Sequence, residues 1–204
     1  TYRWHKIFGG GGPESIAGIE VDNQDNVYIV GGFNQCSNPG PSNPYYSIPR
    51  IGDNTGIDFT STSTQDFCQK AFRAKFNSNG VFQWLFYLQP ATTISLANST
   101  FVRNVYMVND VLHCIAILPP GTYEGGAINN TTTSVPFLYY LLKYDTSGNL
   151  TQYTPEGGAP VSIVWGYNKT QPIAKIENAT NAQLVSVLGV TNFSAITEAQ
   201  LSSL

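Results

Sequence analysis

Charged side chains are scarce in this chain of 204 residues. Asp, Glu, Lys and Arg together make up 11% of it, whereas an ordinary soluble domain carries roughly 25%. The ten basic residues form no cluster and the net charge is −3, so we expect no nucleic-acid partner. No window approaches the ~18 consecutive apolar residues of a membrane-spanning helix, so we also expect no membrane-spanning segment.

Residues that carry catalysis or bind metals are scarce as well. His5 and His113 are the only histidines, and neither lies in a zinc-ligand spacing or near a Gly-Xaa-Ser-Xaa-Gly elbow. The sequence therefore predicts no enzyme, no catalytic residue, no metal site and no cofactor. A glycan-cleaving enzyme is the less favoured alternative, because carboxylates can pair across a cleft; the candidates are Glu14, Glu20, Asp22, Asp58 and Glu124.

The three cysteines lie in unequal surroundings. Cys36 and Cys68 flank a segment rich in Gly, Pro, Ser and Asn, and a disulfide between them would close its base; the alternative is two unrelated thiols. Residues 34–67 form a long irregular insertion, and such connections usually mediate contacts. Tyr45 and Tyr46, near its centre, are the candidate contact residues. Cys114 lies in an apolar run and is predicted to be buried.

What the chain has in abundance are aromatic and β-branched residues in short alternating runs, with 13% aromatic residues overall. Such runs favour β-strands. Hairpins are predicted where two runs flank a polar turn, at residues 23–26, 77–80 and 109–110. Three more strands are predicted in the tail, at 161–165, 173–176 and 184–190.

One hairpin is used twice. The stretch from Lys75 to Trp84 recurs in weaker form from Lys143 to Gln152, 68 residues later. In both copies a basic residue and an aromatic residue end one apolar run, a polar turn with a Gly follows, and a second run begins. Trp84 also has the same position relative to its strand as Trp4 has relative to the first strand of the chain.

These residues carry a family likeness. The segments Trp4…Phe8-Gly9-Gly10, Ile19-Glu20-Val21-Asp22…Asn26-Val27-Tyr28-Ile29-Val30-Gly31-Gly32-Phe33 and Ala74-Lys75-Phe76-Asn77-Ser78-Asn79-Gly80…Trp84 resemble the repeat of bacterial-type, seven-bladed (SBBP) β-propellers. The resemblance is good over residues 4–33 and 71–84, weak over 84–152 and poor beyond. It implies four-stranded blades from about residue 4 to 83 and from 84 to 151.

The predicted fold is all-β, with antiparallel, blade-like four-stranded sheets that form an incomplete propeller or a stack. The alternative is two packed β-sandwich domains completed by strand exchange between subunits. We divide the chain into a first repeat at 1–83 with its insertion at 34–67, a second repeat at 84–151, and a partial third unit or assembly segment at 152–204. Two blades cannot close a ring that needs at least about four.

Acceptor sequences for N-glycosylation are more frequent than expected. Seven occur where chance would supply roughly three, and they begin with Asn98, Asn129, Asn130, Asn149, Asn168, Asn178 and Asn192. All of them lie beyond residue 97, although eight of the 18 Asn residues come earlier. We expect covalent N-glycans on a secreted protein; the alternative is an Asn- and Thr-rich composition. Because the chain begins at Thr1 without an apolar leader, we also expect a removed signal peptide or a fragment.

Low charge, clustered acceptor sequences and incomplete repeats favour a structural role. The sequence predicts a glycosylated subunit of a repetitive assembly, a filament or fibre, on the extracellular surface of a cell or virion. Its partners are expected to be copies of itself, because uncovered strand edges self-associate. The alternative from a different class is a carbohydrate-binding propeller module, whose partners would be glycans.

Overall fold

The computed structural model describes residues 4–9, 14–35, 50–52, 57–58, 67–88, 101–119, 121–130 and 138–190. Within these ranges the elements are almost all strands, together with a 3₁₀ turn at Glu124–Gly126 and one helix, α1 (Asn181–Leu188). The strands are β1 (Ile7–Gly9), β2 (Glu14–Val21), β3 (Val27–Gln35), β4 (Arg50–Gly52), β5 (Ile57–Asp58), β6 (Phe67–Phe76), β7 (Phe82–Leu88), β8 (Phe101–Val108), β9 (Val111–Leu118), β10 (Gly121–Tyr123), β11 (Ile128–Asn130), β12 (Leu138–Tyr144), β13 (Leu150–Pro155), β14 (Val161–Gly166) and β15 (Gln171–Glu177).

Two antiparallel meanders dominate the architecture. The first sheet has the order β2-β3-β6-β7, and the second has the order β15-β14-β13-β12-β9-β8. Two smaller units, β1-β4-β5 and the ribbon β10-β11, complete the described strands. The all-β, antiparallel prediction is confirmed, and neither large sheet is closed into a barrel.

The boundaries between the predicted repeats do not coincide with the boundaries between the sheets. The expected division between residues 83 and 84 falls inside β7, which pairs with β6 from Ala71 and Leu88 to Phe76 and Phe82. Strands β14 and β15, which were assigned to a partial third unit, extend the second sheet to six strands. The reason is that β14 continues the meander after β13, with Gln152 opposite Ser162.

The three hairpin turns at Asp22, Asn77 and Asp145 share one hydrogen-bond pattern. In each, the amide of the first residue donates to the carbonyl of the fifth, and its side-chain oxygen accepts from the amides of the third and fifth residues. Such Asx turns are the reason Asn and Asp are favoured there. The fourth residue has positive φ, which Gly adopts without a steric penalty; it is 77° at Gly80 and 84° at Gly148.

The two large sheets are stacked with equivalent sides turned in the same direction. Each sheet therefore has a leading face and a trailing face. The leading face carries Ala71, Arg73 and Lys75 in the first sheet and Tyr139, Leu141 and Lys143 in the second. The trailing face, on the other side, carries Phe72, Ala74 and Phe76, or Tyr140, Leu142 and Tyr144. Directly paired residues of an antiparallel sheet point to the same face, so the registers of β6 and β12 assign the neighbouring strands as well.

The main core lies between the leading face of the first sheet and the trailing face of the second. It joins Tyr28, Val30 and Leu88 of the first sheet to Leu142 and Tyr144 of the second. A smaller core covers the trailing face of the first sheet, where Phe72 and Phe76 pack with residues from the beginning of the chain. Apolar side chains therefore fill the space on both faces of the first sheet.

One predicted strand is wrong. The sequence predicts an extended strand at 184–190, but residues 184–188 lie in α1 and Gly189 is its C-terminal cap. Thr180 accepts a hydrogen bond from the amide of Gln183 while the Gln183 side chain accepts from the amide of Thr180, which forms a capping box. Gly189 ends the helix with φ of 62°.

Candidate functional site

A cleft of about 720 Å³ opens between the two large sheets. Its walls come from β7, with Phe86 and Tyr87, and from β14 and β15, with Ile163, Trp165 and Ile173. The first sheet ends at β7 while the second continues to β15, so the cleft lies where the longer sheet extends past the shorter one. Its volume is within the range of small-molecule sites, roughly 300–1,000 Å³.

A buried ion pair forms part of the cleft wall. Nη1 and Nη2 of Arg73 donate to the two carboxylate oxygens of Glu124 at 2.9 and 3.1 Å, and the two side chains are only 6% and 12% exposed. Nη2 also donates to the carbonyl of Gly148 at 3.0 Å. The guanidinium carbon lies 3.9 Å from the centre of the Tyr144 ring, whose hydroxyl donates to Glu124 at 3.0 Å. The ion pair therefore joins β6 to the 3₁₀ turn and to the second repeated hairpin.

Two neighbouring titratable groups of β9, Cys114 beside the ion pair and His113 on the other face of the sheet, are not prepared for nucleophilic chemistry. Burial raises the pKa of the Cys114 thiol to about 12, so this thiol stays protonated, and a thiol is a poor nucleophile. Burial lowers the pKa of His113, and nearby Lys143 lowers it further. The ring Nδ1 of His113 lies 2.9 Å from the carbonyl oxygen of Val111.

The described carboxylates that were candidates for glycan cleavage serve local structure. Glu124 belongs to the ion pair, and Glu20 accepts a hydrogen bond from the amide of Met107 at 3.2 Å. Asp22 accepts from the amides of its turn and from the hydroxyl of Tyr28 at 3.0 Å. Burial alone would raise the pKa of Asp22, but these hydrogen bonds outweigh it and the pKa lies below its ordinary value.

A second feature of the structure is a tryptophan contact that occurs at both sheet junctions. Nε1 of Trp4 donates to the carbonyl of Ser78 at 3.0 Å, and Nε1 of Trp84 donates to the carbonyl of Thr146 at 3.3 Å. Ser78 and Thr146 are equivalent residues of the repeated hairpin, 68 positions apart. In each turn a Gly lies against a tryptophan ring. A Cβ added to Gly80 would be 2.6 Å from Trp4, and one added to Gly148 would be 3.2 Å from Trp84.

A lysine reinforces the second junction. Nζ of Lys75 donates to the Thr146 carbonyl at 3.1 Å and lies 3.8 Å from the carboxylate of Asp22. It also lies 5.0 Å from the centre of the Tyr28 ring, a cation–π distance. The turn of the second hairpin is therefore held by two donors of the first sheet, an indole and an ammonium group.

The structure places five of the seven glycosylation candidates, and they differ in exposure. Asn129, Asn168 and Asn178 are exposed. Asn149 is half-buried and its amide nitrogen donates to the carbonyl of Lys169 at 2.8 Å. Asn130 is only 4% exposed and its amide nitrogen donates to the carbonyl of Leu118 at 2.8 Å, so a glycan does not fit at Asn130 in the folded protein.

Several predicted residues lie outside the described residues, namely Asn98, Asn192, Cys36, Tyr45 and Tyr46. Cys68 is described only as part of the β6 backbone, so the predicted disulfide has no structural test. Cys114 is a buried free thiol, as its apolar run predicted.

Arg73 is a site residue that the sequence did not predict. Its only local signal is that Arg73 and Lys75 alternate with apolar residues in β6, a pattern typical of a strand with one solvent-facing side. Its partner Glu124 lies 51 positions away, so the pair has no local signal.

Among the residues with described positions, no group of three or more His, Cys, Asp or Glu side chains is placed to hold a metal ion. The described part of the chain also contains no helix with the length and hydropathy needed to cross a membrane. The chain matches no protein-family model and no curated protein sequence.

Proposed function

We propose that this chain is a structural subunit of a repetitive extracellular assembly, on the surface of a cell or virion, in which β-sheets of one repeat type stack in series. The observation that carries the proposal is the tryptophan contact made twice, by Trp4 on the Ser78 turn and by Trp84 on the Thr146 turn. Residues 4–8 thus contact the turn of the first sheet through Trp4, just as β7 contacts the turn of the second sheet through Trp84. The resemblance to propeller repeats belongs to the same proposal, with each meander as one repeat.

This stacking is heterologous, since the leading face of one sheet meets the trailing face of the next. A heterologous contact generates a closed ring or an open filament rather than a symmetric pair. The leading face of the second sheet is the surface on which a further copy would add. It presents Tyr139, which is 43% exposed, and Lys143, the equivalent of the junction lysine Lys75.

Helix α1 restricts where that copy docks. The amide of Asn181 donates to the side chain of Gln152 at 3.1 Å, and the hydroxyl of Ser162 donates to the carbonyl of Ala179 at 2.8 Å. Gln152 and Ser162 are paired on the leading face, so the helix covers its β13–β14 half. A neighbouring copy would contact the β8–β9–β12 half.

Self-association tests the proposal. The purified chain is expected to form concentration-dependent oligomers by sedimentation velocity and rings or filaments by electron microscopy. Tyr139→Asp should abolish them, because an unpaired charge in an apolar interface costs several kcal/mol, roughly 2–5. Val187→Asp is the matched control, since Val187 is 74% exposed on α1, which covers the β13–β14 half of the sheet and not the half that carries Tyr139. A chain that stays monomeric at millimolar concentration would refute the assembly.

Secretion, N-glycosylation and the Cys36–Cys68 disulfide are part of the proposal. Exposure supports Asn129, Asn168 and Asn178 as acceptors, whereas the buried amide of Asn130 is withdrawn from the set. Intact mass of the native protein before and after enzymatic deglycosylation tests this; a native mass equal to the bare 22.2 kDa would refute the glycoprotein claim. Mass after thiol alkylation, with and without reduction, tests the disulfide.

We propose no catalytic activity. The buried thiol of Cys114, which stays protonated, and the carboxylate of Glu124, which is paired with Arg73, support this. The carbohydrate-binding alternative receives less support, because several polar side chains of the cleft already form hydrogen bonds within the protein.

A further inference from the structure

We propose that the cleft between the two sheets binds a small amphipathic anion, a molecule with an apolar body and one carboxylate-like group. This goes beyond the structural function and stands independently of it. The proposal rests on the shape and the lining of the cleft and on which of its polar groups are without partners.

The lining of the cleft selects an apolar body. The apolar residues of its walls include Phe86, Ile163, Trp165, Pro172 and Ile173. A body without hydrogen-bonding groups buries apolar area there at roughly 25 cal/mol per Å².

The polar side chains of the cleft disfavour a hydroxyl-rich ligand. The amide of Asn149 donates to Lys169, the hydroxyl of Thr170 donates to the carbonyl of Tyr167 at 2.7 Å, and the indole of Trp165 donates to the carbonyl of Leu150 at 2.7 Å. A sugar would have to break these bonds or leave its own hydroxyls unpaired, and an unpaired buried polar group costs about 1–3 kcal/mol.

The charges of the cleft select an anion. Arg73 and Glu124 neutralise each other, which leaves Lys175 as the further cation of the lining. Its Nζ lies 3.7 Å from Glu177, but that carboxylate is 70% exposed, so solvent weakens the pair. The ammonium is also 5.9 Å from the Tyr153 ring, at the inner side of β15.

A second donor of the cleft is unpaired. Nε of Arg73 is buried and has no hydrogen-bond partner in the described part of the chain, although Arg73 is only 5% exposed. The lining thus offers an unpaired N–H of a guanidinium and an ammonium whose partner carboxylate is largely exposed to solvent. The oxygens of an anion are acceptors for both groups.

Calorimetric titration of the full-length chain with dodecanoate, below its micelle concentration, tests the proposal. Dodecanoate should bind with one site per chain, and dodecyltrimethylammonium, which has the same tail and the opposite charge, should bind at least about tenfold more weakly. Lys175→Met should weaken dodecanoate about tenfold, since it removes the charge and keeps the length of the side chain. Lys169→Met is the matched control, because Lys169 pairs with Asp145 outside the cleft lining. The affinity of this variant for dodecanoate should stay within about twofold of that of the unchanged protein.

A third variant tests the location. Ala127→Phe places a ring in the cleft from the residue that follows the 3₁₀ turn, where the backbone is helical with φ of −63°, and it should abolish binding while circular dichroism shows a folded chain. Equal affinities for the anionic and cationic detergents would overturn the proposal, as would full affinity in folded Ala127→Phe or Lys175→Met protein.

Discussion

Replacement of Arg73 by methionine should destabilise the protein by about 3–5 kcal/mol, the cost of removing one member of a buried ion pair. The structure sets this magnitude, since the pair is bidentate and the Glu124 side chain, 12% exposed, would retain one described donor, the hydroxyl of Tyr144. The carbonyl of Gly148 would lose its contact as well. In a chain of this size the midpoint of thermal unfolding should fall by roughly 10 °C.

Urea unfolding followed by circular dichroism measures the change, and a double-mutant cycle with Glu124→Gln isolates the pair. We expect a coupling free energy of about 2 kcal/mol, because the double variant no longer contains an uncompensated buried charge. Lys169→Met is the matched control; its pair with Asp145 at 3.3 Å is 38% exposed on the lysine side, so its loss should cost under about 0.5 kcal/mol. If Arg73→Met cost less than about 1 kcal/mol, or if the two substitutions were additive, the ion pair would not be what joins the sheets.

Three further predictions concern stability. Gly148→Ala should cost about 2–3 kcal/mol in urea unfolding, from its positive φ and the rings against it, whereas Gly157→Ala, with φ of 70° and nothing within 4 Å, should cost about 1 kcal/mol. Asp22→Asn should cost about 1–2 kcal/mol at pH 7, and since the pKa of Asp22 is lowered by folding, this difference should disappear as the pH falls below 3.8. The lowered pKa of His113 means that the unfolded chain binds a proton first, so stability should fall as the pH drops below 6.5, and His113→Gln should flatten that decline in unfolding measured from pH 7 to pH 5.

Each of these has a result that contradicts it. Equal costs for the two Gly substitutions would mean that the ring contacts at Gly148 are unimportant. Asn77→Asp is the control for Asp22→Asn. Asn77 occupies the equivalent position in the second turn but accepts no hydrogen bond from Tyr28, so this substitution should change the free energy of unfolding by under about 0.5 kcal/mol. A pH decline that persists unchanged in His113→Gln would assign it to other groups.

Local patterns predicted the strands and turns because their causes are local. The Asn109–Asp110 turn takes φ of 50° and 59°, as a two-residue hairpin requires, and β8 and β9 flank it as the predicted hairpin requires. The misassigned helix had a local signal as well, since Thr180 and Gln183 form a capping box and Gly189 follows at the C-cap. The β-branched residues within α1 outweighed those signals, because valine favours strands.

The environment of Arg73 was not predictable in this way. A basic residue in an alternating strand indicates a solvent-facing side, and here that side is covered by a second sheet. The covering depends on the packing of two sheets, which no single strand encodes. The partner carboxylate comes from a 3₁₀ turn 51 positions later, so neither its direction nor its distance follows from the sequence.

The cleft arises where the second sheet extends past the first. Its outer wall is formed by β14 and β15, which have no counterpart beyond β7 in the first sheet, and it is there that Ile163, Trp165 and Lys175 lie. These residues fall in the part of the chain where the resemblance to propeller repeats is poor. The shared hairpin, with its Asx turn and its tryptophan contact, fixes how the sheets stack, while the two added strands leave an opening that stacking does not fill. A chain truncated after β13 should therefore lose the cleft and its ligand, and the retention of both tryptophan junctions would show in the Trp4 and Trp84 fluorescence.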